Sequence, residues 1–283
     1  MDIGIIVFPT DYGVAVRDLA PLVEDRGFES LFFPEHTHVP VDRKSPFPAG
    51  GDLPEPYHRN LDPFVAHAVA ASVTERLKLG TGICLVAQRE PIALAKTIAS
   101  VDFLSNGRVI LGVGGGWNVE EMANHGVDPK RRWAVVEDHV RAMKAIWAAD
   151  EAEFHGEYTS FGPIWSWPKP VQRPSVPILV GGMTLRAWDR ALASGDGWIP
   201  ALDVEKPLDA MVGAIGEFRR HCDERGRPAL PVTLAMGYGR LTTREDVRLL
   251  AAAGVERCLV WLPTMASAET AAFLDDCAGL LEI

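Results

Sequence analysis

The sequence predicts an α/β fold of the TIM (β/α)8 barrel type, and three observations carry that prediction. Short apolar runs alternate with helical stretches along the whole chain, and eight such units fit within 283 residues. The runs are continuously apolar, as in Val109–Val113, rather than alternating apolar and polar, which is what parallel strands covered by helices require. Glycine and aromatic residues collect where the runs end, as around the rim of a barrel. A doubly wound open sheet is the competing architecture, but it usually has fewer units and a stronger glycine fingerprint. A single domain over residues 1–283 is expected, with a long loop after the second strand and a small hairpin before the fifth.

Each element has its own signal. Ile3–Phe8 is the first strand; Val14–Arg26 carries Val16, Leu19, Leu22 and Val23 at helical spacing, and Gly27 ends it. Ser30–Phe33 is the second strand, closed by Pro34. Residues 34–61 are rich in proline and glycine and lack periodicity, and a loop this long is usually functional. Pro63–Thr74 is a helix with Asp62 as N-cap and Pro63 at its first position. Leu77–Val86 is the third strand and Pro91–Leu104 the next helix, stopped at Asn106-Gly107. Val109–Val113 then opens into Gly114-Gly115-Gly116, and Asn118–Met122 starts a helix. Arg132–Ala149 is amphipathic, Phe154–Tyr158 marks the hairpin, and Trp165–Pro177 is extended. Strands at Ile178–Gly182, Gly197–Pro200, Val232–Met236 and Cys258–Leu262 alternate with helices at Leu185–Ser194, about 205–225, Arg244–Ala253 and Ala268–Leu281.

Composition bounds the function. With 47% hydrophobic and 23% charged residues the chain can build a substantial core. A net charge of −10 without a basic cluster argues against a nucleic-acid surface, while leaving room for a local anion pocket. Cys84, Cys222, Cys258 and Cys277 are scattered, with neither zinc spacing nor a disulfide framework. No apolar run approaches the roughly 18 residues of a membrane span. The chain enters its first strand without a basic, apolar leader, so a cytoplasmic protein is expected.

In a barrel, chemistry belongs at the C-terminal strand ends. Strand four, glycine turn and helix start form a place for an anion or a flat ring. The dinucleotide fingerprint fails there, because Trp117 stands where its third glycine would be. Gly181, Gly182, Met183 and Thr184 precede a helix in the later half, where barrels often bind phosphate. A plain turn is the simpler account of either glycine cluster. Glu35, His36 and His38 resemble the opening of a metal-dependent hydrolase. Strands five, six and eight, however, end without the further histidines and acid that such a site needs, so no metal is expected. His36 fits better as a neutral hydrogen-bonding or proton-transfer group, with a purely structural histidine as the alternative. Strand seven ends Met236-Gly237-Tyr238-Gly239, and His58 lies in the long loop. Glu120 and Glu121 fall in a helix's first turn, where the helix dipole alone accounts for them.

Taken together in order, Phe32-Phe33-Pro34-Glu35-His36, Leu61-Asp62-Pro63-Phe64, Leu79-Gly80-Thr81-Gly82, Arg108–Trp117, Pro168–Gln172, and Ile178–Gly182 with Gly195-Asp196-Gly197-Trp198 resemble the luciferase-like monooxygenase superfamily. The closer resemblance is to its coenzyme F420-dependent oxidoreductase branch. The resemblance implies a TIM barrel with a deazaflavin, or alternatively FMN, across the strand ends. It implies a cis peptide at Gly82–Ile83, a ring surrounded by Phe8, His36, Gly82, Ile83 and Trp117, and a cleft lined by Gly115 and Gly116. Gly181, Gly182, Met183 and Thr184 would take its phosphate. Gln88 and Arg89 could reach the cofactor tail or substrate, Trp198 would lie near the cofactor, and the chain would form a homodimer. The acid that sugar-phosphate-oxidising relatives carry after the strand-four glycines is replaced by Trp117, and the chain is too short for the large insertions of the long-chain relatives. The implied activity is hydride transfer between F420 and a small organic substrate. The alternatives are an FMN-dependent two-component monooxygenase, a metal-dependent hydrolase, or a cofactor-binding protein without catalysis.

Overall fold

A computed structural model describes residues 1–202, 206–237, 240 and 242–281. In chain order the strands are β1 (Asp2–Ile6), β2 (Ser30–Phe33), β3 (Lys78–Thr81), β4 (Val109–Val113), β5 (Glu151–His155), β6 (Ser160–Trp165), β7 (Ile178–Gly181), β8 (Gly197–Ile199), β9 (Thr233–Ala235) and β10 (Arg257–Trp261). The helices are α1 (Val16–Asp25), α2 (Pro56–Arg59), α3 (Pro63–Ser72), α4 (Pro91–Leu104), α5 (Val119–Asn124), α6 (Arg132–Ala148), α7 (Leu185–Ser194), α8 (Leu208–Glu224), α9 (Arg244–Ala252) and α10 (Ser267–Ala278).

Eight parallel strands pair in the order β8-β7-β4-β3-β2-β1-β10-β9. Isolated parallel bridges, Trp198 to Val232 and Ala201 to Ala235, join β8 to β9 and bring the two edges of the sheet together. The TIM-barrel expectation therefore holds. β5 and β6 form the expected hairpin outside it, as an antiparallel pair.

The barrel interior is narrow. Ile6, Phe32, Ile110, Leu179, Ile199, Ala235 and Leu259 fill it from seven strands. The larger apolar layers lie between strands and helices, which is why the strands are apolar on both faces. Gly80 and Gly112 sit where interior side chains or backbone crowd. A Cβ at Gly80 would lie 2.3 Å from the Phe32 ring, and one at Gly112 would lie 2.1 Å from the carbonyl oxygen of Thr81.

Part of the sequence signature serves the N-terminal end of the barrel. Arg108 is buried and donates to Ser105 O, Leu77 O, Ala71 O, and both Thr74 O and Thr74 Oγ1. Asp102 accepts from Val171 N, Gln172 N and Gln172 Nε2, which holds the extended segment before β7. Asp196 accepts from Ile178 N. Asp62 caps α3 as expected, accepting from Phe64 N and Val65 N.

Boundaries shift in two instructive places. The third apolar run is strand only over Lys78–Thr81; the cis Gly82–Ile83 bond turns it away, and Val86–Gln88 is a 3-10 turn. The long loop contains α2, and a bridge from Thr10 to Asn60 returns it to the barrel. Residue 205, the expected start of the helix before β9, and Tyr238 and Gly239 lie outside the described residues.

Candidate active site

The site is built around the chain beyond β2. Pro34 ends the strand, and Glu35 then turns into the wall, 3% exposed. It accepts hydrogen bonds from Leu85 N (2.7 Å) and Arg89 Nε (2.5 Å), so the segment after β3 is locked to the end of β2. Arg89 also pairs with Asp62 at 2.6 Å. Instead of reaching for a ligand, Arg89 neutralises a buried carboxylate.

His36 comes next and is held at both ends. Its Nδ1 lies 2.7 Å from Oε2 of Glu121, which is wholly buried on α5. The other oxygen of Glu121 accepts from Thr37 N at 3.2 Å. Asn60, its amide oriented to satisfy both atoms, donates to His36 O (2.9 Å) and accepts from His36 N (3.2 Å). A carboxylate facing Nδ1 makes that nitrogen the donor, which leaves Nε2 as the acceptor when the ring is neutral. Glu121 thus does more than complement the helix dipole. Its spacing from the strand-four glycines places it in a first turn, but nothing in the linear sequence announces His36 as its partner 85 residues away.

A cavity of about 150 Å³ opens against His36 at the C-terminal strand ends. Phe8, Gly82, Ile83, Gly116 and Trp117 line it together with His36, and Tyr57 and Trp261 complete its aromatic walls. The His36 ring is 5.6 Å from Tyr57 and 5.6 Å, edge-on, from Trp117. Phe8 stacks on Trp261 at 5.5 Å. Sequence reasoning missed Tyr57, which lies in the aperiodic loop, and did not assign Trp261 a role.

The floor is the cis Gly82–Ile83 bond. Strand four is pressed against it: Cys84 N donates to Gly112 O at 2.7 Å, and a Cβ on Gly114 would lie 2.2 Å from Ile83 Cδ1. Gly114 therefore makes room for Ile83 rather than for a ligand. Gly116, with φ of +72°, adopts a backbone conformation that favours glycine and faces the cavity. Gly115 is buried, and a Cβ there would meet the Trp133 indole at 2.8 Å. Beneath these glycines, Gln88 Oε1 and Arg132 Nε are buried without a hydrogen-bond partner. Gln88 Nε2 is 3.6 Å and Arg132 Nε 3.2 Å from the positions a Cβ would take on Gly116 and Gly115. Unsatisfied buried polar atoms call for a polar partner, so these residues fit a polar ring edge or tail over the glycines.

The second glycine cluster continues the same surface. A Cβ on Gly181 would lie 3.7 Å from Ile83 Cγ2, and one on Gly182 would lie 4.0 Å from Trp133. Gly182 has φ of +106°, and Thr184 caps α7 by accepting from Ala187 N. Gly182, Met183 and Thr184 are exposed. Trp198 is not at the cavity. It is fully buried against Trp188 and Phe218, and its Nε1 donates to Gly182 O at 2.7 Å, so it shapes the turn from below.

The long loop is tied over the site. Glu120 accepts from Lys44 N (3.0 Å) and Ser45 N (3.3 Å), and Ser45 Oγ accepts from Val119 N (3.0 Å). The Ser45 hydroxyl, followed by these backbone groups, holds the Glu120 carboxyl well down, to about 2. Phe47 then reaches Tyr57 at 5.0 Å and Trp117 at 6.1 Å. His58 is exposed on α2, away from the cavity.

The luciferase-like monooxygenase family model matches residues 11–275. The chain belongs to this family. An uncharacterized protein of Mycobacterium tuberculosis is 37% identical over 288 residues, covering 99% of each chain. An FMNH(2)-dependent dimethylsulfone monooxygenase of Pseudomonas putida is 34% identical over 53% of this chain and 42% of its own. An F420-dependent glucose-6-phosphate dehydrogenase of Amycolatopsis mediterranei is 32% identical over 52% of this chain and 45% of its own. Among solved structures, a monooxygenase of Streptomyces bottropensis superposes with a TM-score of 0.79 at 20% identity, over 99% of this chain and 98% of that one. The family is one of flavin- or F420-dependent oxidoreductases and monooxygenases, and both cofactors occur among the relatives.

Proposed function

We propose that this chain is an F420-dependent oxidoreductase that transfers a hydride between the deazaflavin and a small organic substrate, with His36 as the proton-transfer group. The observation that carries the reading is the buried Glu121–His36 pair on the wall of an aromatic cavity floored by the cis Gly82–Ile83 bond. A bound deazaflavin would supply the two-electron ring. Phe8, Gly82, Ile83, Gly116 and Trp117 would hold that ring, with Gly115 and the orphaned Gln88 and Arg132 atoms behind it. Gly181, Gly182, Met183 and Thr184 would hold its phosphate at the start of α7. Glu121 keeps the proton on Nδ1 of His36, so Nε2 takes a proton from a substrate hydroxyl, or returns it in the reverse direction. The aromatic walls exclude water from the transfer.

The second reading is an FMN-dependent monooxygenase fed by a separate reductase, favoured by the partial match to the dimethylsulfone enzyme. Parallel titrations of the purified chain with F420 and FMN, followed by quenching of tryptophan fluorescence, separate the two. Tighter saturable F420 binding supports the deazaflavin reading, and preference for FMN with oxygen consumption replaces it.

The proposal includes a cytoplasmic homodimer. Val65, Val69 and Val73 are exposed at four-residue spacing along α3 and just past its end, and Phe103 and Leu104 are exposed at the end of α4, a surface suited to a second copy. Light scattering after gel filtration tests it, and a monomeric mass refutes it.

A further inference from the structure

Two more histidines flank the Glu121–His36 pair. His38 follows Thr37 on the segment beyond β2, and His125 closes α5 one turn past Glu121. Their rings lie 5.4 Å apart, tilted, with His125 exposed and His38 half-buried. The Thr37 hydroxyl joins them, 3.0 Å from His38 Nδ1 and 2.7 Å from His125 Nε2. The amide nitrogen of Asn124 lies 2.9 Å from His38 Nε2.

These contacts run in one direction when both rings are neutral. An amide nitrogen only donates, so His38 Nε2 accepts from Asn124 and the ring proton sits on Nδ1. That N–H donates to Thr37 Oγ1, which leaves the hydroxyl proton for His125 Nε2. The same threonine donates its backbone N–H to Glu121 Oε1. Thr37 therefore ties the two outer rings to the carboxylate that holds His36.

A proton added to the outer pair changes both the bonds and the field. On His38 Nε2 it would confront the Asn124 N–H, and on His125 Nε2 it would turn the Thr37 hydroxyl away. Either way a cation arrives beside Glu121. The charged and titratable groups that act on His125 are His38 and Glu35 on the segment beyond β2, Glu121 on its own helix, and Arg89 on the segment after β3. Partial burial, then His38, holds the His125 imidazole below its ordinary value, against the opposite pull of Glu121 and Glu35. A carboxylate beside an imidazole favours the charged ring, and a charged ring has no lone pair left to accept a proton. A second cation drawing on the same carboxylate opposes that effect.

We propose that His38 and His125, joined by Thr37, are positioning residues that act on His36 through Glu121. When the outer pair takes up a proton, Glu121 is shared with a second cation, and His36 keeps its Nε2 lone pair to a lower pH than Glu121 alone would allow. The effect on rate rests on the proposed role of His36, whereas the coupling is a property of the free chain.

Nitrogen-15 NMR of the histidine rings in the full chain without cofactor, between about pH 5 and 8, tests this. His125→Gln keeps a hydrogen-bonding side chain and removes the charge. In that variant His36 should take up its proton at a pH about 0.3 or more higher than in the parent, and His38→Gln should move it the same way. Thr37→Val should release the tautomers of both outer rings, and Thr37→Ser should restore them. A His36 midpoint within about 0.1 of the parent in both glutamine variants overturns the proposal, as do unchanged outer tautomers in Thr37→Val. The same samples are titrated with F420 and FMN. A coupled His36 in a chain that binds neither cofactor retains this proposal and refutes the cofactor reading.

Discussion

Replacing Glu121 by glutamine removes a charge without removing volume, and the structure shows why the change cannot be silent. Both carboxylate oxygens accept from donors, Oε2 from His36 Nδ1 at 2.7 Å and Oε1 from Thr37 N at 3.2 Å. A glutamine has one acceptor and one donor to offer. If its carbonyl faces His36, its amino group confronts the Thr37 N–H. If it turns round, His36 must carry its proton on Nε2, and the cavity loses its acceptor. The first arrangement loses one buried bond and the charge assistance of the other. Hydrogen bonds to a charged group contribute about 1.5–3 kcal/mol. A loss near the middle of that range, about 2 kcal/mol, corresponds to roughly a thirtyfold slower reaction. The proposed activity should therefore fall about thirtyfold in kcat. F420 affinity should stay within twofold, because Glu121 sits behind the histidine. Nitrogen-15 NMR of the His36 ring would report the tautomer directly, and a purely structural role for Glu121 would not move it. A Glu121→Gln variant with kcat within twofold of the parent and an unchanged His36 spectrum would refute the reasoning.

Three further outcomes follow from buried groups elsewhere. Arg89→Met leaves the buried Glu35 carboxylate without its cation and should destabilise the chain by about 3 kcal/mol in denaturant unfolding. The double variant with Glu35→Gln should recover most of that loss, and additive losses would contradict the pairing. His67 is fully buried on the Phe33 ring, and burial, only partly offset by the Gly80 backbone, lowers its pKa to about 4. The unfolded chain, with a histidine near 6.5, then binds the extra proton between pH 4 and 6.5. This contribution to stability is full above pH 6.5 and falls as the pH drops to about 4, by roughly 3 kcal/mol in all. His67→Leu should flatten that slope in unfolding curves collected between pH 4.5 and 7, and an unaltered slope would exclude His67 as its source. Gly112→Ala drives a methyl to 2.1 Å from a backbone oxygen that has no rotamer to escape through. A loss of about 3 kcal/mol or more is expected, and a melting temperature within a degree of the parent would show that β3 can shift.

The barrel was legible because it depends on periodicity and punctuation. Continuous apolar runs, Asp62 with Pro63, and the Gly27 and Gly107 stops are local signals, and each survives folding unchanged. The candidate cavity was legible as a set of strand ends, since His36, Gly82, Ile83, Gly116 and Trp117 share its lining. What could not be read was pairing. Glu121 and His36, Arg89 and Glu35, and Asn60 and the His36 backbone are separated in sequence and meet only because β2, the segment after β3 and α5 share one rim. Arg89 looked like a ligand hand because a lone cation near a strand end does so when its buried partner is unknown. The glycine run divides its work in a way its spacing does not show. Three glycines in a row suggest one purpose, yet Gly114 yields to Ile83, Gly115 to Trp133, and only Gly116 faces the cavity.

The same pairings show how the rim is held. His36 is held through Glu121 and Asn60, and the end of β2 through Glu35 and Arg89; none of these contacts involves Phe47. The loop that carries Phe47 is fastened to the helix that also carries Glu121, by Glu120 and Ser45 at the start of α5. Phe47 packs on Tyr57 and Trp117, the two rings that flank His36, so a change in its size reaches His36 through packing, whereas a change at Asn60 or Glu121 reaches it through hydrogen bonds. Phe47→Ala should accordingly shift the His36 ring spectrum, and by less than Glu121→Gln does. An unchanged spectrum in Phe47→Ala would show that Tyr57 and Trp117 keep their places without it.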